Sequence, residues 1–366
     1  MINVSIIIPA YNVGDTIGRA LGCLEEWGGP DVEIIVVNDG STDKTYEIVA
    51  RAAQRDSRIR LFSQCNAGRS AARNRGILES KGKWIMFLDA DDYLLPGWAL
   101  SVGKALNESC DLIVFASRRS DGLGSLGLPI RRDNNLVSDL KNVRFAELTD
   151  AIVNGTEKSL VTEAGCFEWN ACWSRLYRGC IVRAMAGKDG NGAFPLGVTF
   201  SEDRVFNLRY LTNYPDSLAT FKYDYVYYWD LGESRTVSRL SPQDSSGLPS
   251  YAVAISALED RGLSRDDTNR LIASECVTQF LRAARLPLRD WRSVESVWKS
   301  NLGSKRVVES LPFWSLAFNK TAIFVKIISI LLKNGYIFPA LAFQSAISHL
   351  TMQIKRLPHS PCSLKK

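Results

Sequence analysis

The sequence predicts an α/β fold with a doubly wound, mostly parallel sheet, followed by a helical C-terminal region. Up to residue 115 the chain alternates between strand-like and helix-like segments, an order typical of parallel sheets with helical crossovers. Several strand segments are continuous apolar runs, as expected of strands that are covered on both faces. Beyond residue 241 the pattern is helical and is interrupted by prolines.

The individual elements follow from this alternation. Strands are predicted at residues 4–9, 32–38, 59–63, 84–88 and 112–115. Helices between them are predicted at residues 13–27, 43–55, 70–80 and 96–107. A segment rich in Gly, Ser, Asp and Arg at residues 117–135 predicts a surface loop. In this architecture, ligands bind beyond the carboxyl ends of the strands.

The length and the charge distribution predict two units. A chain of 366 residues is long for one compact core, and we place a boundary near residue 240. The net charge is only +6, but residues 276–366 contain 14 Lys and Arg against 3 Asp and Glu. Such an asymmetry indicates an anionic partner for the C-terminal part, either nucleic acid or a membrane surface.

The cysteines and histidines count against two kinds of site. The eight cysteines are scattered without a C-x-x-C pair, and both histidines, His349 and His359, lie near the end. A zinc site and a Ser–His–Asp triad therefore lack support, and we expect reduced thiols. No basic residue precedes the short apolar run at residues 4–10, so we expect no signal peptide and a cytoplasmic protein.

Polar residues follow the first two predicted strands, where this architecture places ligands. Pro9, Tyr11 and Asn12 form the first of these turns, and Asp39 begins the second. The carboxylate of Asp39 can accept a hydrogen bond from a base imide or a ribose hydroxyl, and Gly40 lets backbone come close. Taken alone, the second turn is more typical of a plain turn with a helix cap.

Charged residues follow the third and fourth predicted strands, cations after the third and acids after the fourth. Arg69 and Arg73 lie near the start of the third predicted helix and suit a diphosphate or base contact, or else a solvated helix face. Asp89, Asp91 and Asp92 come directly after a buried strand, where their charges repel unless a cation lies between them. Such oxygen ligands suit Mg²⁺ or Mn²⁺, although an acidic capping turn is the alternative.

Four of these segments occur in the order seen in glycosyltransferase family 2: residues 4–12, 37–43, 66–74 and 87–92. The first 90 or so residues therefore resemble that family, and the likeness continues more loosely to about residue 229. The resemblance implies a GT-A fold, a nucleotide-sugar donor that is usually a UDP-sugar, and a divalent metal, Mn²⁺ or Mg²⁺. It divides residues 1–240 into a nucleotide-binding half, 1–116, and an acceptor and base half, 117–240.

The resemblance also implies roles for individual residues. Asp39 would contact the uracil, Asp89 the ribose or the metal, and Asp91 the metal that bridges the diphosphate. The remaining residues of the expected donor site are Pro9, Tyr11, Asn12, Arg69 and Arg73.

Two adjacent acids resemble the motif that carries the catalytic base of the family. We predict Asp203 as the base and Glu202 as the second choice. Without the upstream segments, this pair is more typical of an acidic first turn that stabilises a helix. Residues 173–177 resemble the Trp-x-Lys/Arg-Leu-Tyr segment of the same family.

The resemblance implies an inverting glycosyltransferase that uses a saccharide or lipid-linked acceptor in surface polysaccharide biosynthesis. A nucleotidyltransferase that forms sugar nucleotides is a first alternative, but residues 9–18 lack its Gly-rich basic loop. A nucleic-acid-binding protein is a second alternative, but it leaves the carboxylate motifs unexplained. We therefore expect no nucleic-acid partner.

The basic helical region, residues 241–366, contains an amphipathic segment at residues 321–333 with Lys326 and Lys333 on one face. Residues 334–354 lack Lys, Arg, Asp and Glu but are too polar and broken for a confident membrane span. Such helices suit the interface of an anionic membrane, so we expect peripheral attachment to the inner face of the cell membrane. The alternatives are a helical subdomain that covers the sheet, a membrane span, or a helix that binds a partner.

Overall fold

The computed structural model describes residues 1–119, 140–156, 169–187, 192–229, 246–283 and 290–310, with isolated positions at 331, 332, 337 and 340. The chain forms two compact units. The first contains Met1–Arg239 and Ser256–Ser264, and the second contains Leu240–Ile255 and Arg265–Lys366. We describe each unit separately.

A mixed sheet forms the centre of the first unit. Its described strands are β1 (Val4–Ala10), β2 (Val32–Asp39), β3 (Ile59–Gln64), β4 (Trp84–Phe87), β5 (Tyr93–Leu94), β6 (Leu112–Arg119), β7 (Leu140–Arg144), β8 (Arg175–Arg178) and β9 (Leu218–Trp229). Their order is β3-β2-β1-β4-β8-β6-β9-β5, and β7 also pairs with β9. Strands β5, β7 and β8 run opposite to the other six, so the predicted, mostly parallel sheet is confirmed.

Helices flank this sheet in the predicted alternating order. In the described part of the first unit they are α1 (Ile17–Gly22), α2 (Thr45–Arg55), α3 (Arg69–Glu79), α4 (Trp98–Ala105), α5 (Phe145–Asn154), α6 (Gly179–Gly187) and α7 (Glu202–Asn213), with short 3-10 helices at Cys23–Glu26 and Glu259–Arg261.

The apolar runs of the strands explain why both faces of the sheet are covered. Side chains alternate across a strand, so Ile6 and Ile8 of β1 face one cluster, which also contains Val49 of α2. Ile7 faces the other side, where α3 lies so close that a Cβ atom added to Gly76 would be 2.4 Å from Cγ2 of Ile7. In strands that are buried on both faces, the polar side chains that can contact a ligand are expected at the strand ends.

The first predicted helix, at residues 13–27, is wrong in extent. Helix α1 begins only at Ile17, because the residues before it are held in a loop by the turn after β2. The backbone N–H groups of Asn12, Val13 and Gly14 donate to that turn's side chains, whose acceptor atoms are Ser41 Oγ, Thr45 Oγ1 and Asp43 Oδ2. Asn12 has a φ of 50°, which a helix does not allow.

The predicted surface loop at residues 117–135 begins too early. Strand β6 continues to Arg119 and pairs in parallel with the end of β9, with Ser117 opposite Tyr227 and Arg119 opposite Trp229. The rest of that predicted loop lies outside the described residues.

The described part of the second unit is helical, as predicted. Its helices are α8 (Leu248–Ser256), whose last residue belongs to the first unit, α9 (Arg265–Ala283), α10 (Trp291–Asn301) and α11 (Lys305–Ser310). Phe280 of α9 packs edge-on against Trp298 of α10, with ring centroids 5.2 Å apart. The predicted amphipathic segments at 321–333 and 334–354 lie outside the described residues, apart from the isolated positions.

Among the helices that the structure describes, none has the length and apolar character to cross a bilayer.

Replacing either of two helical glycines with alanine should change the free energy of unfolding, in opposite directions. At Gly76 an alanine Cβ would overlap Ile7, whereas at Gly103 of α4 its nearest neighbour would be Cη2 of Trp27 at 4.0 Å. We expect Gly76→Ala to lower the free energy of unfolding by about 1–3 kcal/mol through overpacking. Gly103→Ala should raise it by about 0.5–1 kcal/mol, because alanine has less backbone freedom to lose. Thermal and denaturant unfolding of both variants measure this, and a Gly76→Ala protein as stable as wild type would contradict the close contact between α3 and β1.

Candidate active site

A cavity of about 450 Å³ lies at the carboxyl ends of β1, β2 and β4. Predicted site residues that line it are Pro9, Tyr11, Asp39, Arg69, Arg73, Asp89, Asp91 and Asp203. Asn12 and Glu202, also predicted site residues, are not among its lining residues. A larger cavity of about 730 Å³ is lined by α1, α2 and the residues that precede β2 and β3. That position is the amino end of the strands and contains none of the predicted residues, so the smaller cavity is the candidate site.

Asn12 has a structural role in the first loop. Its side-chain Oδ1 accepts a hydrogen bond from the backbone N–H of Thr42 at 2.7 Å, which fastens the turn after β1 to the turn after β2. Its positive φ turns the chain here. Tyr11, next to it, is 45% exposed and stands on the cavity wall.

The carboxylate of Asp39 holds the loop that precedes α3. Oδ1 accepts hydrogen bonds from Gln64 Nε2 at 2.8 Å and from the Ala67 N–H at 2.9 Å, and Oδ2 accepts from the Gly68 N–H at 2.8 Å. The local turn is instead closed by Asn38, whose Oδ1 accepts from the N–H of Ser41. Asp39 therefore binds the 66–68 loop, a contact that the alternative of a plain turn with a helix cap does not predict.

Gly40 permits this arrangement. Its φ is +74°, and a Cβ atom there would be 2.8 Å from the backbone N of Asn66. A side chain at this position would push the 66–68 loop away from Asp39.

The two arginines of α3 differ sharply in environment. The Arg69 side chain is 43% exposed; its Nε lies 2.9 Å from Glu202 Oε1, and its Nη2 donates to the Thr199 carbonyl. The Arg73 side chain is 1% exposed, and its guanidinium bonds to Asp89, Glu202 and Asp203. Of these two cations, Arg69 has the greater access to solvent.

The three acids after β4 also differ. Asp92 is buried and accepts a hydrogen bond from the hydroxyl of Tyr227, which in turn accepts one from the backbone N–H of Asp89. The Asp89 carboxylate is 25% exposed and pairs with Arg73 at 2.8 Å. Asp91 is half-buried on the cavity wall, and its carbonyl accepts from Arg19. All three acids line the cavity, and Asp92 also anchors this turn.

In the part of the chain that the structure describes, no three His, Cys, Asp or Glu side chains form a ready-made metal site. Mg²⁺ and Mn²⁺ sites in nucleotide enzymes commonly use one or two carboxylates, and substrate phosphates supply further ligands. Asp89 and Asp91, on one wall of the same cavity, fit that donor set.

The predicted base and its neighbour lie at the start of α7. Asp203 stands on the cavity wall, where it accepts hydrogen bonds from Arg73 and from the backbone N–H of Cys172. Burial raises its pKa to about 6; Arg73 opposes the rise, and the nearby carboxylate of Glu202 adds to it. Glu202 is 4% exposed and accepts from both Arg69 and Arg73.

Sequence reasoning assigned no role to an aromatic pair beside these acids. Trp173 lines the cavity and stacks on Tyr227, with ring centroids 4.4 Å apart and an interplanar angle of 12°. Ser174 has a φ of 58°, and its hydroxyl donates to the carbonyl of Phe115, which turns the chain beside Trp173. Tyr227 belongs to the aromatic-rich strand β9, and an aromatic run in a strand does not distinguish a residue of the core from a residue of the site.

The chain is similar in sequence to known glycosyltransferases. Residues 5–156 match the sequence model of glycosyl transferase family 2. The uncharacterized glycosyltransferase EpsJ of Bacillus subtilis (strain 168) is 47% identical over 206 residues, which cover 56% of this chain and 55% of that protein. The chondroitin synthase of Pasteurella multocida (strain Pm70) is 40% identical over 93 residues, 25% of this chain and 10% of that protein. Residues 5–156 are therefore a family 2 glycosyltransferase domain, in a chain that spans about half the length of its EpsJ relative.

Solved structures show the same fold. Residues 1–349 of TarS from S. aureus, in complex with UDP, superpose with a TM-score of 0.62 at 16% identity, covering 95% of this chain and 92% of that one. The same protein in complex with UDP-GlcNAc gives a TM-score of 0.63. The predicted GT-A fold with a helical C-terminal region is confirmed.

The contacts of Asp39 make a prediction that is independent of any ligand. In Asp39→Ala the N–H groups of Ala67 and Gly68 lose a charged acceptor, a hydrogen bond that contributes about 1.5–3 kcal/mol. We expect hydrogen exchange at both amides to accelerate by about tenfold or more, measured by NMR or mass spectrometry. Asp15→Ala, at an exposed position of the β1–α1 loop, is the control. Unchanged exchange in Asp39→Ala would mean that other groups hold the loop.

Proposed function

We propose that this chain is an inverting glycosyltransferase that moves a sugar from a UDP-sugar to a saccharide or lipid-linked saccharide in surface polysaccharide biosynthesis. The observation that carries the proposal is the convergence of Asp39, Asp91 and Asp203 on one cavity at the carboxyl ends of parallel strands. The relatives support it: two proteins of Pasteurella multocida that match 93 residues of this chain are named chondroitin synthase and hyaluronan synthase.

The nucleoside of the donor would occupy the part of the cavity beside Asp39. An ionised carboxylate has about four acceptor positions, and three donors already use three of those at Asp39. One position on Oδ2 remains for a uracil imide or a ribose hydroxyl. Pro9 and Tyr11 form the adjacent wall.

The diphosphate would lie toward the acids after β4. Asp89 and Asp91 would hold Mn²⁺ or Mg²⁺, which supplies positive charge against the phosphate oxygens. Arg69, the more exposed of the two arginines, is suited to stabilise negative charge on the departing diphosphate.

Asp203 is the better candidate for the base. It stands on the cavity wall, whereas Glu202 is not among the lining residues and its carboxylate is bound by two arginines. A base acts best when its pKa lies near the operating pH, and burial brings the pKa of Asp203 to about 6. Asp203 would remove the proton of the attacking hydroxyl in a single displacement at the anomeric carbon, which inverts its configuration.

Attachment of residues 313–354 to the inner face of the cell membrane is part of the proposal and rests on the sequence alone. These residues lie outside those described, apart from the isolated helical positions. The basic composition of residues 276–366 is its support, because each basic residue near an anionic surface adds about 1 kcal/mol of attraction. We propose no nucleic-acid partner.

A panel of nucleotide sugars tests the function. The purified chain is incubated with saccharide or lipid-linked saccharide acceptors and with UDP-sugars or GDP-mannose in Mn²⁺ or Mg²⁺, and release of free nucleotide is followed. We expect one UDP-sugar to be turned over, chelator to stop the reaction, and Asp91→Ala to reduce it by about a hundredfold or more, because a metal supplies several kcal/mol to such a step. The variant Asp15→Ala should behave as wild type. If no donor is turned over, the proposed glycosyltransferase activity is contradicted. Full activity in chelator would contradict the proposed role of a metal.

The base makes a separate prediction. Asp203→Asn keeps the size of the side chain but removes the proton acceptor, so kcat should fall by roughly 10²–10⁴ with UDP affinity little changed. Wild-type kcat should decline as pH falls below about 6, where Asp203 becomes protonated, and stay level above it. The isosteric change Glu202→Gln is the matched control and should retain far more activity. If Glu202→Gln is inactive and Asp203→Asn is active, the base is Glu202.

A further inference from the structure

The guanidinium of Arg73 joins three carboxylates that come from two distant segments. Nη1 lies 2.9 Å from Asp203 Oδ1 and 3.1 Å from Glu202 Oε1, both on α7. Nη2 lies 2.8 Å from Asp89 Oδ1, directly after β4. The acid expected at the donor and the acid expected to act as base are therefore fixed to opposite ends of one planar group.

The surroundings of Arg73 fix its position as well. The ring of Phe194 lies 5.2 Å from the guanidinium carbon. The next residue on α3, Asn74, accepts a hydrogen bond from the Phe194 N–H at 2.8 Å and donates one to its carbonyl at 2.9 Å. Phe194 also stacks on Phe206 of α7, with centroids 4.1 Å apart. Helix α3 and the base-bearing helix are thus held together on both sides of the arginine.

Burial separates Arg73 from its neighbour Arg69. At 1% side-chain exposure, Arg73 has little surface to offer a diphosphate, whereas Arg69 is 43% exposed on the same wall. The Nε of Arg73 has no hydrogen-bond partner among the described residues, but this atom is buried. The donor contact expected from the sequence suits Arg69 and does not suit Arg73.

We propose that Arg73 is a positioning residue, which orients the carboxylate of Asp203 against Asp89 and does not bind the donor. This inference rests on the proposed function, because it assigns Asp203 as the base. Arginine suits the task because its Nη1 and Nη2 have a fixed separation and direction. A lysine would keep the charge, but its three N–H donors diverge from one nitrogen and cannot reproduce the fixed separation of Nη1 and Nη2.

A double-mutant cycle tests the inference. The proteins are wild type, Arg73→Lys, Asp203→Asn and the double variant, assayed for kcat with the UDP-sugar that the wild type turns over and for UDP affinity by calorimetry in Mn²⁺. We expect Arg73→Lys to lower kcat by about tenfold or more while UDP affinity changes by less than about threefold. In the Asp203→Asn background, the same change should alter kcat by less than about twofold, because its effect passes through Asp203.

The control is Arg75→Lys, two residues along α3, where the side chain is half exposed and pairs with Glu79 on the same helix. It should leave kcat and UDP affinity at wild-type values. If Arg73→Lys does not fold, judged by circular dichroism, Arg73→Met with Glu202→Gln replaces it. This pair removes one cation and one anion, so the net charge of the cluster is kept, and the same loss of kcat is expected.

Two results would overturn the inference. One is full activity of Arg73→Lys. The other is a fall in UDP affinity that matches the fall in kcat, together with effects that multiply in the double variant, which would make Arg73 a donor contact. A wild-type protein that turns over no nucleotide sugar contradicts the proposed function instead, so the two failures are distinct.

Discussion

A guanidinium in the interior of a protein needs hydrogen-bond acceptors around it, and anions are the strongest of these, so Arg73 imposes that requirement on this fold. Desolvating a guanidinium is costly, so the acid after β4 and the two acids of α7 must stay within hydrogen-bond distance of it. Removing one partner of such a group leaves an unpaired buried charge and typically costs about 3–5 kcal/mol. The contact therefore restricts where α7 can pack on the sheet, together with the buried apolar side chains of that helix.

The parallel sheet supplies the complementary constraint. Apart from Ser5 and Glu33 near their amino ends, strands β1 and β2 are apolar on both faces, so the polar side chains of the candidate site gather where the strands end. Asp39 and Asp89 both occupy such positions, and each is held by groups outside its own strand. One cavity results, with acids on two sides and arginines of α3 between them.

This division explains what could be predicted from the sequence. Strands β1, β2 and β4 were predictable because their apolar runs are local, and Asp39, Asp89 and Asp91 were located because each comes at the end of a strand. The pairing of Arg73 with Glu202 and Asp203 was not predictable, since these contacts join residues 129 and 130 positions apart. The error at residues 13–27 has the same origin, because the N–H groups that would start a helix bond to side chains about 30 residues later. The roles of the site residues stay predictions.

Three residues other than glycine have a positive φ in the described part of the chain: Asn12, Ser174 and Ser201. The first follows Tyr11 of the cavity wall, the second follows Trp173, and the third precedes the acids of α7. A left-handed conformation costs a residue with a side chain about 1–2 kcal/mol, and less for Asn. Glycine would relieve this strain at each position, but it would also remove the Asn12 amide and the Ser174 hydroxyl that fix the loops. Substitutions that relieve the strain at these positions would therefore loosen the loops of the site. A thermostabilised variant of this protein should gain its stability from changes at other positions.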